Sequence, residues 1–353
     1  MIHDVLLEIT NKCNLKCGFC YNNSDDKGKE MQLKDAIYIL NKLEKVGVKE
    51  VFISGGEPFL HTNLLDIIDY SGKMNFKVCI ATNGIFINDD ICSIISKYNF
   101  LGLQISLDGA SEIINDHIRG KGHFEKIMNV LEKLKKYKIK NVKIRMTISR
   151  YNCHDIGNYI QLASKYHVIP TFSFVSQIGR AKKNRSQYEL KPDEKFYILE
   201  KLYSELKKHI NVFENEKELY KRSIRENIMP ITKCQIEEEG IVSPLIKCNG
   251  DVQPCQRLYD SEYKIGNIFK EDIMRIFSED NEKIINIKNE INNRKRVFSK
   301  TKCVSCILNN ICEKGCICES IDHGGVYEES DECYIRRKIW KKSLIKYFQG
   351  EEI

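Results

Sequence analysis

Fifteen cysteines in a chain of 353 residues constrain this protein more than any other feature of its sequence. Their distribution is uneven. Cys13, Cys17 and Cys20 form a tight group near the N-terminus. Nine more, Cys234, Cys248, Cys255, Cys303, Cys306, Cys312, Cys316, Cys318 and Cys333, crowd the last third, while Cys79, Cys92 and Cys153 stand alone between them. A disulfide framework belongs to an oxidising compartment. The opening MIHDVLLEIT reads as a strand, with no basic, apolar and small-residue succession of an export signal. No apolar run approaches the roughly 20 residues that span a bilayer. A cytoplasmic chain with no membrane partner is expected, in which thiols stay reduced and grouped cysteines bind metal.

The first half alternates short β-branched runs with amphipathic stretches. Strands are predicted at 5–10, 50–54, 77–82, 101–106, 142–148 and 171–175, with helical periods at 33–46, 89–97, 124–137 and 155–166. Six β-then-α steps predict a parallel sheet with right-handed crossovers, an α/β fold of partial (β/α)6-barrel type, with function at the C-terminal ends of the strands. Residues 192–228 are charged and helical in pattern. The text after them is too irregular for a large apolar core, so metal is expected to hold it together. The last helix is predicted at 333–348. These boundaries divide the chain into a barrel at 1–181, a helical bridge at 182–233, a small cysteine-rich domain at 234–335 and a C-terminal helix at 336–353. The net charge of +7 is mild for this length. Residues 293–300, NRKRVFSK, read as a basic surface loop suited to an acidic partner or electron donor, and no nucleic acid is expected as a partner.

The first cysteine group follows the first strand as Cys13-Asn-Leu-Lys-Cys17-Gly-Phe-Cys20-Tyr21. Three thiolates within eight residues can converge on one centre. Zinc usually takes a fourth Cys or His in a paired spacing, which is not found nearby. A 4Fe–4S cube with one open iron fits better. The plain alternatives are structural zinc or three reduced loop cysteines. The CxxxCxxC spacing, followed by an aromatic residue at a strand end, resembles the radical S-adenosylmethionine enzymes. Further positions carry the resemblance. They are Gly55-Gly56-Glu57-Pro58 after the second strand, Thr82-Asn83-Gly84 after the third, Ser106-Leu107-Asp108-Gly109 after the fourth with Arg119-Gly120 beyond, and Ile178-Gly179-Arg180-Ala181 after the sixth. The resemblance implies that the open iron chelates S-adenosylmethionine and that the reduced cluster yields a 5′-deoxyadenosyl radical. It also implies that Gly55, Gly56 and Glu57 meet the methionine amino group. Ser106 and Arg119 would take its carboxylate, Tyr21 would contact adenine, and Thr82, Asn83 and Asp108 would complete the cofactor site.

In the last third, Cys303-x2-Cys306-x5-Cys312-x3-Cys316 with Cys333, and Cys234-x15-Gly250-x4-Cys255, resemble the SPASM extension of that family. The resemblance implies two auxiliary 4Fe–4S clusters, hence three clusters in all. Cys303, Cys306, Cys312 and Cys333 would hold one, and Cys234, Cys255 and Cys316 the other. No cysteine stands just upstream of Cys234, where residues 226–233 read ENIMPITK, to complete the second set. Cys248 is the expected fourth ligand, with Cys318, an open iron and zinc throughout as alternatives. Cys79 and Cys92 read as core residues. Cys153 and Cys318 are the candidate catalytic thiols, as hydrogen-atom donors or substrate contacts.

SPASM-bearing relatives mostly modify peptides, so an oxidative, crosslink-type maturation of a ribosomally made peptide is expected. A dehydrogenase or epimerase of a small molecule such as a sugar or aminoglycoside is the alternative, and an iron–sulfur electron carrier a remote third. Gln256 stands where the formylglycine-forming branch has Asp, which counts against that reaction. With Cys13 already in the first loop, no leader-binding domain is expected ahead of the barrel. A separate recognition protein, or docking at the auxiliary domain, and a flavodoxin- or ferredoxin-type reductant are the expected partners.

Overall fold

A computed structural model describes residues 2–209, 234, 236, 241, 243–259, 261–300, 303–310, 312 and 314–348. Six parallel strands open the chain: β1 (Asp4–Thr10), β2 (Glu50–Gly55), β3 (Lys77–Thr82), β4 (Leu101–Ser106), β5 (Val142–Ile148) and β6 (Ile169–Phe174). Helices α1 (Leu33–Lys45), α2 (Leu64–Lys73), α3 (Asp89–Ile95), α4 (Glu112–Arg119), α5 (His123–Lys136) and α6 (Ile156–Tyr166) connect them. The pattern follows from the residues. On α1, Ala36, Ile39, Leu40 and Leu43 recur at helical spacing and are all buried. On α3, the Asn88 side chain accepts a hydrogen bond from the Ile91 N–H and caps the first turn.

The strands show period-2 burial that decides what the sheet encloses. In β4, Leu101, Leu103 and Ile105 are buried, while Gln104 and Ser106 point the other way. In β5, Val142, Ile144, Met146 and Ile148 alternate with Lys143, Arg145 and Thr147. The apolar set joins the main core with the helices, and the polar set lines a cavity on the opposite face.

The sheet order is β6-β5-β4-β3-β2-β1-β7-β8-β9. β7 (Leu245–Ile246) lies parallel to β1, with Leu6 opposite Leu245, and β8 (Asp251–Gln253) and β9 (Gly266–Asn267) continue antiparallel. The described sheet is therefore open, with β6 and β9 as its edges. Its hydrogen bonding runs across the expected boundary at 233/234, so the cysteine-rich region is grafted onto the barrel sheet. Among the described residues, no helix is long and apolar enough to cross a membrane.

Among the described residues, four longer helices follow: α7 (Pro192–Lys208), α8 (Glu282–Lys300), α9 (Ile317–Asp322) and α10 (Asp331–Phe348). α7 makes up most of the described part of the expected bridge, and residues 210–233 of that expectation lie outside the described residues. It packs on α6 and α10, through Phe196, Leu199 and Ile335, and its Lys195 Nζ stands 2.6 Å from Asp331 Oδ2. The expected basic loop at 293–300 is instead the last part of α8. Ile284, Ile287, Ile291, Arg294 and Phe298 recur every three or four residues and are buried, so a helical stripe overrides the basic composition. The last helix begins at Asp331, and the expected boundary at 335/336 falls inside it.

Candidate cluster and cofactor site

β1 ends at Thr10 and the chain turns into the loop of Cys13, Cys17 and Cys20. Protein contacts fix this loop from both sides. The Cys13 N–H donates to Asp25 O at 2.7 Å, and the Gly56 and Glu57 N–H groups donate to Thr10 O and Lys12 O, each at 2.7 Å. β2 comes so close that a Cβ on Gly55, at φ +139°, would stand 1.9 Å from Thr10 O. From beyond β6, Arg180 Nε donates to Cys17 O and Nη1 to Ser24 O, both at 2.9 Å. Its main-chain N–H donates to Cys20 O at 2.9 Å. Gly179 makes this grip possible. At φ +60° a Cβ there would lie 2.3 Å from Tyr21 O. The glycine pair of GGEP and the glycine of IGRA are thus required where two segments close on the cysteine loop.

Cys13, Cys17 and Cys20 all line one cavity of about 750 Å³. Burial pushes the Cys13 thiol up to about 11. It also raises Cys17, against the pull of the neighbouring Arg119 guanidinium. Among the described residues, no three His, Cys, Asp or Glu side chains are placed to hold a single metal ion. Three soft sulfur donors spread along one cavity fit a larger body, and an iron–sulfur cluster is the group this donor set suits.

Tyr21, Gly55, Gly56, Thr82, Asn83, Ser106 and Arg119 line the same cavity. Glu57 and Asp108 do not; they stand behind it and hold residues that do. Glu57 is fully buried. Its carboxylate accepts from the Thr82 hydroxyl and the Asn83 N–H, each at 2.6 Å, and from the Phe59 N–H at 3.1 Å. Burial pushes its carboxyl up to about 7 in spite of those donors. Asp108 accepts Arg119 Nε at 2.5 Å on one oxygen and the Thr147 N–H at 2.8 Å on the other. Burial alone would lower the Arg119 guanidinium, but the Asp108 charge outweighs it and holds it above its ordinary value. Arg119 Nη1 lies 3.7 Å from Cys17 Sγ. Its outer nitrogens are thus presented beside the thiols, where a carboxylate could take them in parallel. The Tyr21 hydroxyl donates to Glu8 Oε1 at 3.0 Å, and the Tyr259 hydroxyl donates to Glu8 Oε2 at 3.2 Å. This buried carboxylate joins the cysteine loop to the C-terminal third.

The cavity continues to a far wall built by that C-terminal third. Gln256, Arg257, Glu319, Asp331 and Glu332 line it, together with Lys195 of α7. Arg257 Nη2 pairs with Glu319 Oε1, with Asp322 Oδ2 at 3.8 Å. Burial and the nearby Glu319 charge push the Glu332 carboxyl up to about 8, and its Oε2 makes no hydrogen bond among the described residues. Apart from Gln256, sequence reasoning did not single out these wall residues. Arg257 follows Cys255 by two and Glu332 precedes Cys333, but spacing alone says nothing of where their side chains point.

Cys153 and Cys318, the expected catalytic thiols, do not line the cavity. Cys153 sits in the turn after β5, with Sγ 3.6 Å from Arg150 O. The remaining thiols form two further groups. Cys303, Cys306, Cys312 and Cys333 line a small cavity of about 30 Å³ with Lys314 and Arg336, as the outer auxiliary set would require. Arg336 Nη2 lies 3.7 Å from Cys333 Sγ. Cys234, Cys255 and Cys316 interact electrostatically with one another. Cys248, the expected fourth member, is placed apart. It lies in the β7–β8 turn, its charged neighbours being Glu8, Lys247 and Lys29.

Comparison with known proteins agrees with this geometry. The Radical SAM superfamily profile matches residues 7–163, and the SPASM profile, an iron–sulfur cluster-binding domain, matches residues 234–307. The mycofactocin maturase MftC of Mycobacterium tuberculosis (strain ATCC 25618 / H37Rv) is 34% identical over 161 residues, 45% of this chain and 41% of that protein. The sporulation killing factor maturation protein SkfB of Bacillus subtilis (strain 168) is 26% identical over 77% of this chain and 64% of that protein. The chain thus spans less than half the length of the mycofactocin maturase. Among solved structures, Streptococcus suis SuiB bound to precursor peptide SuiA superposes with a TM-score of 0.72 at 19% identity, over 94% of this chain and 76% of that one. Native anSMEcpe with bound AdoMet gives a TM-score of 0.72 at 17% identity over 98% and 99%. Profiles and relatives converge: the chain carries a radical S-adenosylmethionine superfamily domain followed by a C-terminal SPASM iron–sulfur domain.

Proposed function

We propose that this protein cleaves S-adenosylmethionine reductively and uses the resulting radical chemistry to modify a peptide oxidatively, as in crosslink-type maturation of a ribosomally made peptide. One observation carries the reading: the three loop thiols and the charged wall of the SPASM region face each other across a single 750 Å³ cavity. That volume lies within the ordinary range of ligand sites. Cys13, Cys17 and Cys20 would hold a 4Fe–4S cluster through thiolate, which requires them to give up their protons. Bound there, the cluster and S-adenosylmethionine supply a reducing electron and a hydrogen-abstracting radical.

The protein's own groups bind and orient. Arg119, fixed by Asp108, offers parallel donors to the methionine carboxylate, with Ser106 on the same wall. Glu57 fixes the Thr82–Asn83 turn and so acts from behind the site. Gln256, Arg257, Glu319 and Glu332 are the groups the substrate meets. Two relatives are a mycofactocin maturase and a sporulation killing factor maturation protein, and SuiB has been solved bound to a precursor peptide. Cys303, Cys306, Cys312 and Cys333 would hold the outer of two auxiliary clusters, three clusters in all. A flavodoxin- or ferredoxin-type reductant in the cytoplasm and, where the peptide carries a leader, a separate recognition protein complete the proposal.

The test is anaerobic reconstitution followed by dithionite and S-adenosylmethionine. Iron near twelve per chain is expected for three cubes, with release of 5′-deoxyadenosine that the Cys13/Cys17/Cys20→Ala triple variant does not give. Co-expression with a short peptide encoded next door should yield a product lighter by two hydrogens. Release of 5′-deoxyadenosine with no change in any neighbouring peptide, but turnover of a sugar-like alcohol, would replace the peptide reading.

A further inference from the structure

The inner group of thiols in the SPASM region has a fourth member that its spacing pattern does not announce. Cys255 Sγ and Cys318 Sγ lie 3.9 Å apart. Cys318 is also within side-chain hydrogen-bonding reach of Cys316, and Cys316 interacts with Cys234. Cys234, Cys316 and Cys318 are buried and Cys255 is half-buried. Four cysteines from three separate segments therefore form one interacting group, with Cys255 and Cys318 in direct contact.

We propose that Cys318 is the fourth thiolate of the inner auxiliary 4Fe–4S cluster, with Cys234, Cys255 and Cys316, and that Cys248 is not a ligand. This rests on the auxiliary-cluster part of the proposed function. Local backbone explains how two ligands come from Cys316-Ile317-Cys318. Cys316 is extended at φ −71° and ψ 127°, and α9 begins at the next residue. The change from extended to helical backbone after Cys316 lets two thiols one residue apart serve one site, and Ile317 is buried. The hairpin explains why Cys248 is excluded. Cys248 lies in the turn before β8, whereas Cys255 follows the opposite end of that strand. A three-residue strand spans roughly 10 Å.

The surroundings suit a closed, four-thiolate centre. Four thiolates around a cube carry excess negative charge, which is costly to bury unpaired. Arg257 Nη1 lies 3.8 Å from Cys316 Sγ and supplies one compensating cation. A disulfide is not what brings Cys255 and Cys318 together, since their 3.9 Å separation is well beyond a sulfur–sulfur bond. Nor does Cys318 line the substrate cavity. With its fourth iron ligated by protein, this cluster would have no open coordination position, so substrate could not bind to it directly. Its part would be electron transfer.

The test reads the cluster rather than turnover. The full-length Cys13/Cys17/Cys20→Ala variant, reconstituted anaerobically, leaves only the auxiliary clusters, at about eight irons per chain. Cys316→Ala in that background establishes that the inner cluster exists, by loss of about four irons. Mild oxidation then distinguishes closed from open sites, because a cube with three thiolates sheds its unligated iron and gives the paramagnetic signal of a 3Fe–4S cluster. We expect no such signal in the background or with Cys248→Ala, and either that signal or loss of about four irons with Cys318→Ala. Cys318→Ser, which keeps the side-chain volume and an oxygen donor, should retain the iron with an altered reduced-state spectrum, so that misfolding is told apart from lost ligation. A 3Fe–4S signal in the background overturns the proposal, as does a cluster sensitive to Cys248→Ala and indifferent to Cys318→Ala. If Cys316→Ala removes no iron from the background, the inner cluster itself is absent and the auxiliary-cluster reading falls with the proposal.

Discussion

The loop of Cys13, Cys17 and Cys20 and the thiols between Cys303 and Cys333 offer similar sulfur donors in unequal scaffolds. The first loop is gripped by main-chain hydrogen bonds from β2 and from Gly179–Arg180, and its strands pack on the main apolar core. The second region has little core of its own. A few cations stitch it together: Arg294 Nη1 donates to Lys314 O at 2.7 Å, and Lys314 Nζ to Asn309 Oδ1 at 2.7 Å. A metal loop built on a finished fold can exist before its metal arrives. A metal region with too few apolar contacts depends on the metal for its shape.

The strongest way to break this comparison is to remove iron. Anaerobic chelation should lower hydrogen-exchange protection across residues 303–348 by a factor on the order of 10³, while β2 to β5 change by about tenfold or less. Equal loss in both regions would end the distinction. Next in size is Gly179→Ala, which forces a side chain into a left-handed position and against Tyr21 O. We expect a cost of about 4 kcal/mol in the grip on the first loop, read as loss of about four irons with the auxiliary irons retained.

A third effect is confined to the barrel. His123 is buried, donating from Nε2 to Asn83 O at 3.0 Å with Nδ1 3.0 Å from Asn115 Nδ2. Burial lowers its ring to about 4, with the Arg119 charge adding to the effect. Above pH 6.5 the neutral ring is common to folded and unfolded chains, and its contribution is full. Between pH 6.5 and 4 the unfolded chain takes up a proton that the folded ring refuses, and about 3 kcal/mol is lost. Denaturant titrations of His123→Gln should lack that slope. The smallest effect concerns the contact between the two regions. Tyr259→Phe removes one donor from buried Glu8 and should cost about 1–2 kcal/mol, seen as a lower melting temperature with unchanged iron content.

Much of the barrel was legible because its strands alternate and its helices keep a 3.6-residue period. β3, β4 and β5 match their expected spans at both ends. The helix Glu282–Lys300 was not, since Arg294 occupies a core position with 1% exposure and arginine ordinarily reads as surface. The loop motifs showed which residues gather at the strand ends, but not the direction of each side chain. Glu57 and Asp108 belong to those motifs and face away from the cavity, toward the residues they hold. Cys248 and Cys318 differ for a similar reason. Spacing along the chain cannot say that one falls in a hairpin turn and the other at the start of a helix.

The pairing of Leu6 with Leu245 has a consequence in time. β1 is made before the other described strands, and one of its two neighbours is synthesised 239 residues later (245 − 6). At ordinary elongation rates that interval is roughly 12–50 s. Throughout it, a strand of Leu, Ile and Val offers an unpaired edge, the kind of surface on which nascent chains stick to one another. The SPASM region therefore acts late in the life of the nascent chain as the cover of that edge. A chain released without it would be prone to aggregation as well as short of clusters.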